Sequence, residues 1–178
     1  MDHNTAESFL RQARHSLARF HLPRIARCLR LLSDREVWWR PNAASNSVGN
    51  LVLHLAGNVR QWIISGIGGA RDNRRRDEEF SERGNIPRRK LLKKLRSTVA
   101  EAERVLQKLR SRELGRRYSI QRFPVTGLEA VFHVAEHFAY HTGQIIFVTK
   151  LKRGKDLRFT RLPGERREGG RRRKLPPI

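Results

Sequence analysis

Apolar positions recur every three to four residues in four long stretches of this chain, the spacing that gives a helix one apolar face. The first stretch predicts a helix from about Thr5 to Leu32. Pro23 interrupts it, and because proline lacks a backbone donor and clashes with the preceding turn, a kink or a break is expected near residues 21–22. No convincing strand pair emerges anywhere in the pattern. The chain is therefore predicted to be all-α.

The second helix is predicted to follow Ser47, which suits the N-cap position, and to end at the glycine cluster Gly66–Gly69. Its apolar stripe is clean, but a row of polar residues runs beside it: His54, Asn58 and Gln61. Polar groups at the margin of a core-facing surface cost free energy unless they are paired or used. The row therefore marks this helix as a candidate for a functional site.

Pro87 is expected to open the third helix, and the capping box Thr126 to Glu129 the fourth, which continues to about Lys152. About twenty residues, 67–86, separate the second helix from the third, a length that predicts a surface crossover or an active-site flap. Four long amphipathic helices joined by short, long and short connections predict a four-helix bundle with one long crossover between helices 2 and 3.

A length of 178 residues suits one domain, predicted here as a bundle over residues 1–160 and a basic, disordered tail over residues 161–178. The start of the chain lacks the features of a secretory signal, and no apolar run approaches the length of a membrane span. The lone cysteine, Cys28, lies in an apolar row and is expected to be buried. These features predict a cytoplasmic protein that does not enter a membrane.

The net charge of +22 raises the question of nucleic-acid binding. Arginine supplies 31 of the 39 basic residues, a bias that a GC-rich genome can produce without selection for binding. Aromatic residues, which single-strand binders use for stacking, are scarce in the basic runs. We therefore expect weak, salt-sensitive association with polyanions and no specific nucleic-acid binding.

Three histidines carry the chemistry of the sequence. His137 and His141 lie four residues apart, so their imidazoles lie on the same side of the predicted fourth helix, and His54 on the second helix can complete a three-nitrogen site. Three neutral nitrogens leave a tetrahedral divalent ion one open position, as in catalytic sites. Zinc or nickel is favoured, and iron or manganese is also compatible. His133 and Gln144 extend the same row on the fourth helix.

The residues of the fourth helix also allow a different set of metal ligands. The stretch His133-Val-Ala-Glu136-His137 matches the inverted zinc-peptidase pattern, in which a glutamate between two histidine ligands acts as general base. This interpretation leaves His141 and His54 without a role, and the other motifs of such a peptidase are not apparent. A zinc peptidase is therefore the weaker hypothesis.

Three stretches carry a resemblance to a known family: Trp38–Asn42, Asn46–Asn58 and His133–Gln144. Together they resemble the DinB-like (DinB/YfiT-like) metalloprotein superfamily. The resemblance implies a four-helix bundle with the crossover between helices 2 and 3, commonly a homodimer. It also implies a divalent ion held by one histidine of helix two and two of helix four, which are His54, His137 and His141 by position.

The resemblance also implies a range of activities: metal-dependent transferases that use low-molecular-weight thiols, and hydrolases or isomerases that act on small molecules. We expect a metal-dependent transferase or hydrolase with a small-molecule substrate, and the alternative is a non-catalytic, metal-stabilised binding protein. Six residues are candidates to surround the metal or line the pocket: His133, Glu136, Tyr140, Asn58, Gln61 and Gln144.

Overall fold

The computed structural model describes residues 2–159, in which four long helical rods pack side by side. The first rod comprises α1 (His3–Arg14), the π-helical segment π1 (His15–His21) and α2 (Leu22–Leu31). The second comprises α4 (Val48–Val59) and the π-helical segment π2 (Arg60–Ile67). The third is α6 (Arg88–Lys108), and the fourth is α8 (Gly127–Arg153). Three short helices lie in the connections: α3 (Asp34–Val37), α5 (Arg76–Ser81) and α7 (Ser111–Leu114).

The packing order confirms the predicted all-α bundle. The second rod contacts both α6 and α8, and the first rod also contacts both of these helices. Their buried aliphatic side chains form one shared core, which Cys28 joins as predicted. Within residues 2–159, no helix is long and apolar enough to cross a membrane. The predicted basic tail, residues 161–178, lies outside the described residues.

The expected break at Pro23 does not occur. The backbone stays right-handed helical at His21 and Leu22, and the amide of Leu22 donates to the carbonyl of Leu17 in the wider π-helical pattern. Because the wider turn ends at His21, Pro23 falls in the first turn of α2, where a missing amide donor costs nothing. The first rod, predicted from about Thr5 to Leu32, therefore continues past residues 21–22 without a break.

The predicted helix ends of the second and fourth rods are confirmed. The Ser47 hydroxyl accepts from the amide of Asn50, and the Asn50 side chain in turn accepts from the amide of Ser47. Thr126 and Glu129 form the same reciprocal arrangement at the start of α8. Gly154 ends α8 in the left-handed conformation (φ 59°), which glycine adopts at low cost. These caps set where the site-bearing rods begin and end.

The expectation that the chain lacks strands is wrong. Strands β1 (Arg117–Ile120) and β2 (Phe123–Thr126) form an antiparallel hairpin just before α8. Its two turn residues, Gln121 and Arg122, both have positive φ, a conformation for which asparagine and glycine are the usual residues. The hairpin packs on the second rod, where the buried Ile120 lies against Gly66.

The long crossover between the second rod and α6 is not structureless. It contains α5, which packs against α4. The amide group of Asn50 donates to the carbonyls of Glu79 and Glu82 at 2.9 and 3.1 Å, so α4 holds both α5 and the residue that follows it. The crossover therefore lies against the same rod that carries His54.

Candidate metal centre

The second rod and α8 bring together the three histidines that the sequence singled out. One ring nitrogen each from His54, His137 and His141 lies within 4.8 Å of the other two. His54 and His141 are buried, and His137 is partly exposed. Since two ligands share one face of α8 and the third comes from α4, the site depends on the packing of these two rods.

The spacing of these nitrogens fits a divalent cation. His137 Nε2 lies 2.8 Å from His54 Nε2, a distance at which one ring donates a hydrogen bond to the other. Metal–nitrogen bonds of about 2.0–2.1 Å in a tetrahedron place two ligand nitrogens about 3.3 Å apart. The two nitrogens would therefore need to move apart by only about 0.5 Å to admit an ion between the rings. The donor set, three imidazoles, is one of those found at catalytic zinc.

Two of the three rings have an oxygen acceptor on the nitrogen that faces away from the cluster. His141 Nδ1 lies 2.7 Å from Gln144 Oε1, so the proton on Nδ1 leaves Nε2 free to bind a metal. His54 Nδ1 lies 2.9 Å from Glu79 Oε2. Such outer contacts hold metal-ligating histidines in the required tautomer and orientation. Gln144, a predicted pocket residue, is thus found behind a candidate ligand.

Glu79 and Arg74 are the residues that sequence analysis missed. Glu79 lies on α5, is only 8% exposed, and receives two hydrogen bonds from Arg74, one from Nε and one from Nη2, both at 2.8 Å. The carboxylate sits against Gly57 of α4, where a Cβ atom would overlap Glu79 Oε1. Only weak sequence signals could have suggested that Glu79 contacts His54: an acidic residue in the crossover, and Gly57 inside a helix one turn after His54.

The protonation states in the site also suit a cation. Burial lowers the pKa of His137 to about 3, with smaller contributions from His141 and His54, and burial likewise lowers the pKa of His141. Burial opposes ionisation of Glu79, but hydrogen bonds from Arg74 and His54 outweigh it and lower the pKa of that carboxyl. At neutral pH the two α8 rings are thus neutral, as metal ligands must be, and Glu79 behind His54 is ionised.

His133 lies beside the cluster without joining it. Its Nε2 accepts a hydrogen bond from Asn58 Nδ2 at 3.2 Å, and its ring lies against Trp62 with centroids 4.1 Å apart. Asn58 is buried, and its Oδ1 has no hydrogen-bond partner in the part of the chain that the structure describes. The geometry therefore favours the three-histidine grouping over the peptidase partition, which requires His133 as a ligand.

The remaining predicted pocket residues lie at different distances from the cluster. Glu136 and Tyr140 are exposed and line a cleft of about 470 Å³ together with His133 and His137. Gln61 lies further out, where it accepts from Arg74 Nη1 at 2.9 Å and donates to Asp72 at 2.7 Å. Gln61 thus contacts the cluster only through Arg74, whereas Tyr140 and Glu136 lie beside the opening to it.

A larger cavity, of about 510 Å³, lies on the far side of the crossover. Arg74 and Glu79 line it together with residues of α4 and α6, but no histidine does. The cleft along α8 is therefore the approach to the histidines, although it is the smaller of the two.

Comparison with known proteins agrees with this architecture. Residues 4–166 match the model of a family described as a protein of unknown function, DUF1572. No curated protein sequence matches the chain.

Several solved structures share the fold. A conserved protein from Enterococcus faecalis superposes with a TM-score of 0.66 at 18% identity, covering 82% of this chain and 97% of that one. A DinB-like protein from Bacillus subtilis, YjoA, gives 0.61 at 18% identity (82% and 94% covered). A DinB-like protein from Bacillus cereus gives 0.59 at 15% identity (76% and 87% covered). At these identities the likeness extends to the fold alone, and it confirms the resemblance at that level.

Proposed function

This chain belongs to the DUF1572 family and has the fold of DinB-like proteins, and from that premise we propose that it binds a divalent metal ion to act on a small molecule. The ligands are His54, His137 and His141. One observation carries the proposal: three imidazole nitrogens from two rods converge within 4.8 Å. The outer contacts of His54 with Glu79 and of His141 with Gln144 support it further.

The chemistry is that of a transferase that uses a low-molecular-weight thiol, or of a hydrolase. A divalent ion in this position would lower the pKa of a thiol or water bound to it. Two of the chain's own groups line the cleft and have the chemistry for the remaining steps: Glu136 would accept a proton from the incoming nucleophile, and the Tyr140 hydroxyl would donate to the substrate. Zinc or nickel suits three imidazoles best, with iron or manganese as further candidates.

The first experiment measures bound metal. Untagged protein is stripped with a chelator, dialysed against each metal in turn and analysed for metal per chain. We expect one ion per wild-type chain and none in His54→Ala or His141→Ala. His133→Ala is the control, because its ring, which lies beside that of His137 and contacts Asn58, contributes no nitrogen to the cluster. Full occupancy in His54→Ala or His141→Ala would refute the proposed ligand set, and loss with His133→Ala would revive the peptidase partition.

The second experiment tests turnover. The metal-loaded protein is assayed with a panel of low-molecular-weight thiols, activated esters and small electrophiles. Activity that disappears in Tyr140→Phe or Glu136→Gln, with metal content unchanged, would support the proposed roles of these residues. A bound ion that no thiol or small anion can reach, detected by an unchanged cobalt(II) spectrum on their addition, would instead favour the non-catalytic alternative.

We further propose that two copies of the chain associate through the outer side of α8. The support is a set of large apolar residues exposed on that side of the helix, since exposed apolar surface often marks an interaction site. Its members are Phe132, Phe147 and Leu151. A cytoplasmic location stays a prediction from the single, buried cysteine, and the absence of specific nucleic-acid binding stays a prediction from the form of the charge.

A further inference from the structure

We infer that Glu79, held in place by Arg74, is a positioning residue that keeps His54 in the tautomer able to bind a metal. The inference rests on the proposed metal site and goes beyond it by coupling that site to the crossover. Glu79 would touch neither the metal nor the substrate, and it acts through His54.

The contacts of the carboxylate define its action. Glu79 Oε1 accepts from Arg74 Nε, and Glu79 Oε2 accepts from Arg74 Nη2, so two parallel hydrogen bonds hold the carboxylate in one orientation. Oε2 also lies 2.9 Å from His54 Nδ1. A proton on Nδ1 completes this third contact and leaves the lone pair of Nε2 directed at His137 and the cluster.

The guanidinium of Arg74 could stabilise the other tautomer of His54, in which the proton is on Nε2. Arg74 Nη2 lies 3.1 Å from the same Nδ1, so without an acceptor there the ring nitrogen could accept from Arg74 and carry its proton on Nε2. In that tautomer His54 cannot bind a metal through Nε2. Arg74 Nη2 already donates to Glu79 Oε2, and Oε2 lies nearer to Nδ1 (2.9 Å) than Nη2 does, so the carboxylate favours the proton on Nδ1.

The fold builds a place for this carboxylate. The side chains of His54, Glu79 and Arg74 are 7%, 10% and 4% exposed, so little water competes for their contacts. Gly57 leaves the space that Glu79 occupies, and Asn50 fixes the α5 backbone through the carbonyl of Glu79. Because α5 belongs to the crossover, docking of the crossover on α4 and metal binding at His54 stabilise each other, as thermodynamic coupling requires.

Glu79→Gln tests the inference with almost no change of shape. A glutamine has one oxygen and one amide nitrogen, so it must present a donor either to Arg74 or to His54, both of which need an acceptor. Glu78→Gln is the matched control, because Glu78 lies on the same short helix but is exposed and pairs with Arg75 at the surface. Both variants and wild type are compared by zinc affinity in a competition assay and by the ¹⁵N shifts of His54 in the metal-free protein.

The expected results separate the variants. Wild type and Glu78→Gln bind zinc equally and show Nδ1 of His54 protonated, whereas Glu79→Gln loses about tenfold to a hundredfold in affinity and no longer shows that single tautomer. Equal affinity and an unchanged tautomer in Glu79→Gln would overturn this inference while leaving the proposed function intact. A wild-type chain that takes up no ion would overturn both.

A second variant guards against a general loss of structure in Glu79→Gln. Gly57→Ala keeps every charge but places a methyl group where Glu79 Oε1 lies. Gly143→Ala is its control, since a Cβ there meets nothing within 4 Å of the described atoms. We expect weaker zinc binding in Gly57→Ala and wild-type affinity in Gly143→Ala. Wild-type affinity in a folded Gly57→Ala would contradict the role assigned to the carboxylate.

Discussion

On α8, the side nearest α4 carries a row of histidines, whereas the side turned to solvent carries apolar residues. His133 and His137 are half-buried and His141 is buried, each at the edge of the core. On the outer side, Phe132 and Phe147 are 57% and 63% exposed. Both arrangements cost free energy in an isolated chain, because buried imidazoles lose hydration and exposed aromatic rings order water. The proposed cation would offset this cost on the inner side, and the proposed second copy of the chain would offset it on the outer side.

The largest expected effect tests the inner side. His137→Ala removes a proposed ligand and leaves Glu79 and Gln144 in place. A zinc concentration a thousandfold above the dissociation constant stabilises wild type by about 4 kcal/mol, and the variant should gain almost nothing. Thermal unfolding with and without zinc measures the difference.

His21→Ala is the control for that experiment. His21 also packs near α8, with its ring centroid 6.2 Å from that of Phe138, and burial lowers its pKa to about 4, but it stands outside the cluster. This variant should unfold at a lower temperature overall and still gain the full stabilisation from zinc. An equal stabilisation by zinc in His137→Ala and wild type would contradict the proposal that His137 binds a metal ion on the inner side of α8.

The next effect tests the outer side. Burying one phenylalanine is worth about 1.5–3 kcal/mol, and a twofold interface buries two copies. Phe147→Glu should therefore raise the dimer dissociation constant by about 100-fold or more. Sedimentation across a range of concentrations measures it. Phe123→Glu changes a comparably exposed phenylalanine on the hairpin and should leave association unchanged. A monomeric wild type, or a dimer that persists in Phe147→Glu, would contradict the proposal that two copies associate through the outer side of α8.

A smaller effect sharpens the account of the inner side. Gln144→Leu removes a neutral acceptor from His141 Nδ1, and a neutral hydrogen bond contributes only about 0.5–1.5 kcal/mol. Zinc affinity should fall about twofold to tenfold, less than for Glu79→Gln. Gln107→Leu, at an exposed position of α6, serves as the control. A loss in Gln144→Leu as large as that in Glu79→Gln would show that the charge of Glu79 adds nothing.

A further test concerns the dependence of stability on pH in the metal-free protein. The pKa of His137 falls from 6.5 to about 3 on folding. Between these values the unfolded chain binds a proton that the folded chain refuses, so stability should fall as the pH falls from about 6.5 toward 3. The slope of melting temperature against pH in chelator-treated protein should be shallower in His137→Gln than in wild type. Parallel profiles would show that His137 does not stay neutral.

Local patterns were sufficient to predict the rods and the histidines they carry. Capping at Ser47 and Thr126, the end of α8 near Gly154 and the grouping of His54 with His137 and His141 all follow from spacing and from the chemistry of single residues. The hairpin was missed because its strands have four residues each and its turn, Gln121 and Arg122, lacks the usual asparagine and glycine. The break expected at residues 21–22 does not occur, because a π-helical segment that no periodicity predicts puts Pro23 in the first turn of α2.

The sequence alone determined that His137 and His141 share one side of a helix, because that relation depends only on the helical repeat over four residues. Only the tertiary structure decided that Glu79 stands behind His54. The two residues are 25 apart in a crossover without periodicity, and their contact exists because α5 docks on α4 at the space left by Gly57. Contacts between distant segments depend on how whole elements pack, and no local pattern of residues contains that information.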